Sequence, residues 1–171
     1  MIRTALFCIL LATCAIDGST QDVRNVNWGM SMEQVRSKET ASYLSIKGET
    51  MGFRGQVEGA DALILYKFKD NKLQSVRCIF QQFYTEKNDF ISAFKSLEQT
   101  LSAIYGAPFK SDSFWQNDRY RQDSSQHGLA VSLGDLDYVT RWDTPTTTVL
   151  HVLMGQNGQI THGLDYTIKQ P

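Results

Sequence analysis

One stretch of this chain constrains its fold more than any other. Phe90, Phe94, Leu97, Leu101 and Ile104 recur at spacings of four, three, four and three, which places them along one side of an α-helix. Tyr105-Gly106-Ala107-Pro108 ends that helix, with Gly106 supplying a left-handed cap and Pro108 forbidding continuation. A single amphipathic helix gains most of its stability by burying its stripe, so something apolar must lie beneath it. The sequence on both sides reads as strands, and the natural partner is therefore a sheet.

From Tyr43 to Phe80 the pattern has period two, interrupted by Gly48, Gly52, Gly55 and Gly59. Ile64, Tyr66 and Phe68 alternate with Lys67 and Lys69. After Asp70-Asn71 the chain resumes with Leu73, Val76, Cys78 and Phe80. That is a hairpin with suitable turn chemistry, burying one face and leaving lysines and Arg77 on the other. Beyond Pro108 five further strands are expected, over 113–121, 129–133, 138–142, 146–154 and 160–169, with Gly155-Gln156-Asn157-Gly158 as the loop of a last hairpin. A shorter helix over 32–39 precedes them all. Ser31 is its N-cap, Gln34 completes a capping box, and Met30 and Val35 form a hydrophobic staple. The expected class is α+β: an antiparallel sheet with two helices packed on one face, and no convincing repeat between the halves.

The N-terminus carries a different signal. Arg3 precedes an apolar run from Ala5 to Ile16, after which the chain turns polar at Asp17-Gly18-Ser19. A charged start, a short apolar segment and a polar exit are the parts of an export signal. A membrane-spanning helix needs roughly 20 apolar residues, and this run is too short. Two cleavage routes are open. Leu11-Ala12-Thr13-Cys14 has the form of a lipobox in which Cys14 is lipidated, with Thr13 where Gly, Ala or Ser is usual; the alternative is a plain cut near Gly18. The division is then 1–18 as export signal, 19–27 as a polar tether, and 28–171 as one domain of ordinary size.

Composition narrows the function classes. Of the three cysteines, Cys8 and Cys14 lie in the signal, leaving Cys78 without an internal partner for a disulfide. Its strand-like neighbours Val76 and Phe80 mark it as a small buried hydrophobe. Basic and acidic residues balance at 17 against 18 and no basic run occurs, which disfavours nucleic acid as a partner.

Catalytic and metal motifs are not found in the sequence. His127, His151 and His162 have no companion ligands at a recognised metal spacing, no nucleophile elbow is present, and Asp135 and Asp137 supply too few oxygens for a calcium loop. No catalytic, cofactor-binding or metal residues are assigned, and no cofactor is expected. The run Phe114-Trp115-Gln116-Asn117-Asp118-Arg119-Tyr120-Arg121 stands out instead. As a strand it would align Trp115, Asn117, Arg119 and Arg121 on one face. Trp115, Arg119, Tyr120 and Arg121 are thus the candidate protein-binding residues, of the types that dominate interface hot spots. The alternative has Trp115 packed at a sheet edge and the arginines solvated.

The capped start Gly29-Met30-Ser31-Met32-Glu33-Gln34-Val35 resembles the opening of the small outer-membrane lipoproteins of the barrel-assembly machinery, the BamE/SmpA type, and of the related beta-lactamase inhibitor proteins. The resemblance covers about the first helix, and here strands follow where that family has a second helix. It implies short helices against an antiparallel sheet and a function in binding other proteins. The wider layout, ending in Trp142-Asp143-Thr144-Pro145-Thr146-Thr147, is similar to exported bacterial proteins more than to any named enzyme. The expectation is an exported envelope protein, periplasmic or lipid-anchored at Cys14, acting as a non-enzymatic binding module for another envelope or secreted protein, with the membrane reached only through that lipid. The alternatives are a small hydrolase with an unrecognised site near His127 or His151, and a secreted inhibitor or immunity protein.

Overall fold

A computed structural model describes residues 22–169. The expected export signal, Cys14 and the start of the expected tether lie outside the described residues. The elements run α1 (Met32–Lys38), β1 (Ser42–Lys47), β2 (Thr50–Val57), β3 (Ala60–Lys69), β4 (Lys72–Phe80), α2 (Asn88–Tyr105), β5 (Lys110–Trp115), α3 (His127–Leu133), β6 (Leu136–Asp143), β7 (Thr147–Gln156) and β8 (Gln159–Ile168). The strands form one eight-stranded antiparallel sheet ordered β1-β2-β3-β4-β8-β7-β6-β5. The class is α+β, as the alternating patterns require.

That strand order contains a symmetry the sequence does not display. Each half is a helix followed by four meandering strands, and the halves meet edge to edge where β4 pairs with β8 from Ser75↔Thr167 to Ile79↔Gly163. The α3 insertion between β5 and β6 distinguishes the second half.

One face of the sheet holds the core. Phe53, Ile64, Tyr66, Val76, Cys78, Leu164 and Trp142 are buried in a single cluster with Leu97 and Leu101 of α2 and Val35 of α1. A second cluster joins Ile91 and Phe94 of α2 to Ala130 and Val131 of α3 and to Leu136 and Leu153. Ile104, the last member of the expected stripe, is 53% exposed. Burial pushes the free Cys78 thiol up to about 12, consistent with a packing role. The first helix forms as its residues dictate: Ser31 Oγ accepts from the Gln34 amide and Gln34 Oε1 from the Ser31 amide. Asp70 and Asn71 both take positive φ, the geometry of a primed two-residue hairpin turn.

Three expectations are corrected. There are three helices, not two: residues 129–133, expected as a strand, belong to α3, because Ala130, Val131 and Ser132 are buried consecutively, as a helix held between α2 and the sheet permits. Gly128 makes that packing close, since a Cβ there would stand 2.3 Å from the Lys87 carbonyl carbon at the start of α2. Secondly, the strand expected over 113–121 ends at Trp115.

Thirdly, residues 22–27 of the expected tether are part of the domain. Val23 and Val26 are buried, and the Trp28 indole donates to Thr147 Oγ1 at 2.8 Å. Asp22 takes a bond from Thr146. Arg24 reaches the fully buried Glu39 carboxylate, with Nε 3.2 Å from Oε2, and the Tyr66 hydroxyl donates to the same carboxylate. Burial alone would raise the Glu39 carboxyl, but the bonds from Arg24 and Tyr66 outweigh it and hold the group below its ordinary range.

Arg24→Ala leaves this buried carboxylate without its cation, and the expected loss is about 3 kcal/mol, measured by urea unfolding at neutral pH. A loss within about 0.5 kcal/mol would make the pair equivalent to a surface bridge.

Candidate protein-binding face

Strand geometry sends alternate side chains to opposite sides of a sheet, so the core face defines its opposite. The opposite face carries Leu63, Leu65 and Lys67 on β3, Ser75, Arg77 and Ile79 on β4, Asp165 and Thr167 on β8, and Thr148, Leu150 and Val152 on β7. Leu63, Leu65, Ile79 and Leu150 are partly exposed, and Arg77 and Lys67 are exposed. The register aligns Leu65, Arg77, Asp165 and Leu150 in a single row across four strands. At the centre of the row the Arg77 guanidinium pairs with Asp165 through both oxygens, at 2.6 and 3.0 Å, and the bonds to Asp165 raise its already high basicity. A groove of about 520 Å³ follows this row, with the two leucines at its flanks and threonine and serine hydroxyls beside them. An apolar patch crossed by a fixed charge pair suits protein recognition, where apolar contact supplies affinity and the ion pair fixes register.

The residues expected to bind a partner are placed elsewhere. Trp115 lies on the core side of β5, half-buried against the cluster of Ile91, Phe94 and Leu136 and edge-on to His127 at 5.0 Å between ring centroids. The chain then leaves the sheet. Asn117 accepts a bond from the Arg119 amide and opens a 3₁₀ turn over Asp118–Tyr120. Tyr120 packs beside the same cluster, Arg119 is exposed, and Arg121 pairs with Asp118 at 3.0 Å. The four residues do not share a strand face, because the Asn117 side chain offers the backbone a turn in place of a ladder. The open row was only partly visible in sequence: the alternation put Lys67 and Arg77 opposite the core, but nothing local revealed that β8 and β7 extend it.

The histidines resolve into two kinds. His127 heads α3 and meets the Arg121 carbonyl. His151 and His162 are buried between α2 and the sheet, with Nε2 atoms 2.8 Å apart. His151 stacks on Phe94 at 4.0 Å, and His162 lies 4.6 Å from the Phe80 ring. His151 Nδ1 is buried with no bonding partner. Such a pair shares one proton between two neutral rings. Burial lowers His162 to about 4, and burial followed by the neighbouring His162 lowers His151 to about 2. Among the described residues no group of three or more His, Cys, Asp or Glu side chains is arranged to hold a metal ion.

Comparison with known protein families, with curated proteins and with solved structures returns no match to this chain.

The histidine pair makes a pH prediction with a definite sign. In the unfolded chain both imidazoles titrate near about 6.5, whereas in the fold both stay neutral well below that. The unfolded state therefore takes up more protons as pH falls below about 6.5, and the fold loses stability in that direction. From His162 alone the loss by pH 4 is on the order of 3 kcal/mol. Urea unfolding at a series of pH values is the measurement, with His151→Phe/His162→Leu as reference. The reference profile should be flatter between pH 6.5 and about 4; parallel profiles would mean that the pair is not held neutral.

Proposed function

We propose that this chain is an exported bacterial envelope protein, periplasmic or lipid-anchored at Cys14, that works as a non-enzymatic binding module and takes a partner protein on the open face of its sheet. The observation carrying this reading is the unequal treatment of the two faces. Helices α2 and α3 pack on the core side together with Val35 of α1, and the other side keeps Leu65, Ile79 and Leu150 partly in water around the Arg77–Asp165 pair. Leaving that apolar area wet is unfavourable for an isolated domain, and a bound partner removes the cost. The export signal supports an envelope location, and the resemblance of the first-helix motif to envelope binding proteins points the same way. His151 is fully buried, so it is poorly placed to meet a substrate.

The short stretch between Cys14 and Asp22 gives the anchored form a geometric consequence. Seven residues span at most about 25 Å when extended, so a lipid at Cys14 holds the domain close to the membrane surface. Cys14→Ala is expected to move the protein from the membrane fraction to the soluble periplasm. A mature N-terminus at Ser19 without acyl chains, found by mass spectrometry, would leave the periplasmic form alone.

The binding face is tested by placing a photoreactive amino acid at Leu65 or Leu150, with Asp89 on α2 as the control position. Illumination in the cell should give protein adducts from the two face positions and few from Asp89. Equal yields at all three, or none at the face, would count against this site.

A further inference from the structure

The central ladder of the sheet stops short at one end. Pairing of β4 with β8 ends at Ile79↔Gly163, while β8 continues to pair with β7 as far as Gln159. Beyond Phe80 the chain bends toward β3, and the Gln81 amide donates to the Asp61 carbonyl. A notch is left between residues 81–87 and the start of β8. A cavity of about 200 Å³ lies in it, with Phe80, Tyr84, Phe90 and Ile160 among its walls.

Two polar side chains face this cavity with bonding capacity to spare. Lys87 lines it, its Nζ 3.3 Å from the Gly158 carbonyl, and among the described residues no carboxylate pairs with that ammonium. His162 lines it as well, although the residue is only 7% exposed. Its Nε2 is bonded to His151. Its Nδ1 has no protein partner among the described residues and, unlike His151 Nδ1, is not sealed from solvent. Among the described residues no acidic side chain lines the cavity.

The buried pair fixes what His162 presents there. His151 Nδ1 is sealed without a partner, and an orphaned N–H is rarer in protein interiors than an orphaned acceptor. With that nitrogen bare, the His151 proton sits on Nε2 and is donated to His162 Nε2. The His162 proton is then on Nδ1, and the cavity floor offers an N–H donor.

A free cation beside an N–H donor selects an anion, and the rings around them select a flat apolar body. We infer that the notch is a binding site for a small aromatic carboxylate, held by Lys87 and the His162 Nδ1–H with its ring among Phe80, Tyr84 and Phe90. Tyr84 and Phe90 already stand edge to face at 4.8 Å, an arrangement that a third ring extends. Phe83 at the rim is 88% exposed, and a bound ring covers part of it. Charge sets the orientation. A neighbouring cavity of about 230 Å³ shares Phe80, Gln82, Tyr84 and His162 and is lined by Glu58, so the carboxylate turns toward Lys87 and any substituent toward the other lobe. Size excludes nucleotides, since drug-sized ligands occupy about 300–1,000 Å³. The site lies apart from the row between Leu65 and Leu150, and it does not depend on the binding-face reading above.

The test titrates benzoate and phenylacetate into the processed protein, followed by calorimetry and by NMR of the imidazole nitrogens. At least one of the two should bind with a Kd of about 1 mM or tighter. Lys87→Gln, with a thermal midpoint matching wild type, should weaken binding about tenfold, and the neutral isostere benzamide should bind about tenfold more weakly than benzoate. Phe83→Ala, a change at an exposed ring, should weaken binding about threefold. His162 should carry its proton on Nδ1 in the free protein, and that signal should move downfield at saturation. Failure of both acids to bind below about 10 mM, equal affinity for benzamide, or unchanged binding in Lys87→Gln would each overturn the carboxylate site. A His162 protonated on Nε2 would overturn it too, as would inorganic phosphate binding as tightly as benzoate, which would leave an anion site with no use for its rings.

Discussion

The pairing of β4 with β8 is the contact on which the rest of this structure depends. Residues 75–79 and 163–167 are far apart in sequence, and their ladder joins two four-stranded meanders into one sheet. Without it, the core side would lose the continuity between Val76, Cys78, Leu164 and Tyr166. The open side would lose the row that runs from Leu65 through Arg77 and Asp165 to Leu150. Closing so long a loop costs entropy before any contact compensates, so the seam is expected to form late in folding, after the two meanders have formed from local hairpins. Helix α2 connects those halves, and its Leu97 and Leu101 lie in the cluster that includes residues of both.

Polar groups in the interior follow one rule: each is kept in the charge state its surroundings can satisfy. Glu39 stays ionised because Arg24 and Tyr66 supply donors. Among the described residues His151 and His162 have no carboxylate beside them, and they stay neutral with a single bond between them. The first arrangement ties the N-terminal residues to the domain, and the second places an acid-sensitive element beneath α2. Both exchange hydrophobic area for groups that hold one geometry, since partners left unpaired inside a protein are costly.

The fold was largely legible where local chemistry is decisive. The capped helix at Ser31, the stripe from Phe90 to Leu101, the Asp70-Asn71 turn and the last hairpin all occur as read, because each is specified by residues close in sequence. The failures share a cause. Leu129, Val131 and Leu133 alternate like a strand, yet Gly128 lets the segment pack as a helix against the start of α2, a contact between distant residues. Arg119 and Arg121 were expected beside Trp115 on a strand, and the Asn117 side chain diverted the backbone first. Val23, Arg24 and Val26 look like linker until Glu39 and Tyr66 are brought to meet them.

By itself, then, the sequence determined most of the kinds of element and most of their boundaries. These follow from periodicity, caps and composition, which act within a few residues. Only the tertiary structure decided which strands are neighbours. Register across β4 and β8 is set by burying two meanders against the same helix, and no local pattern encodes it. That decision assembled Leu65, Arg77, Asp165 and Leu150 into one row, whereas His151 and His162 already meet within the last hairpin. A row made of residues from four strands comes into existence only when the sheet closes its central seam.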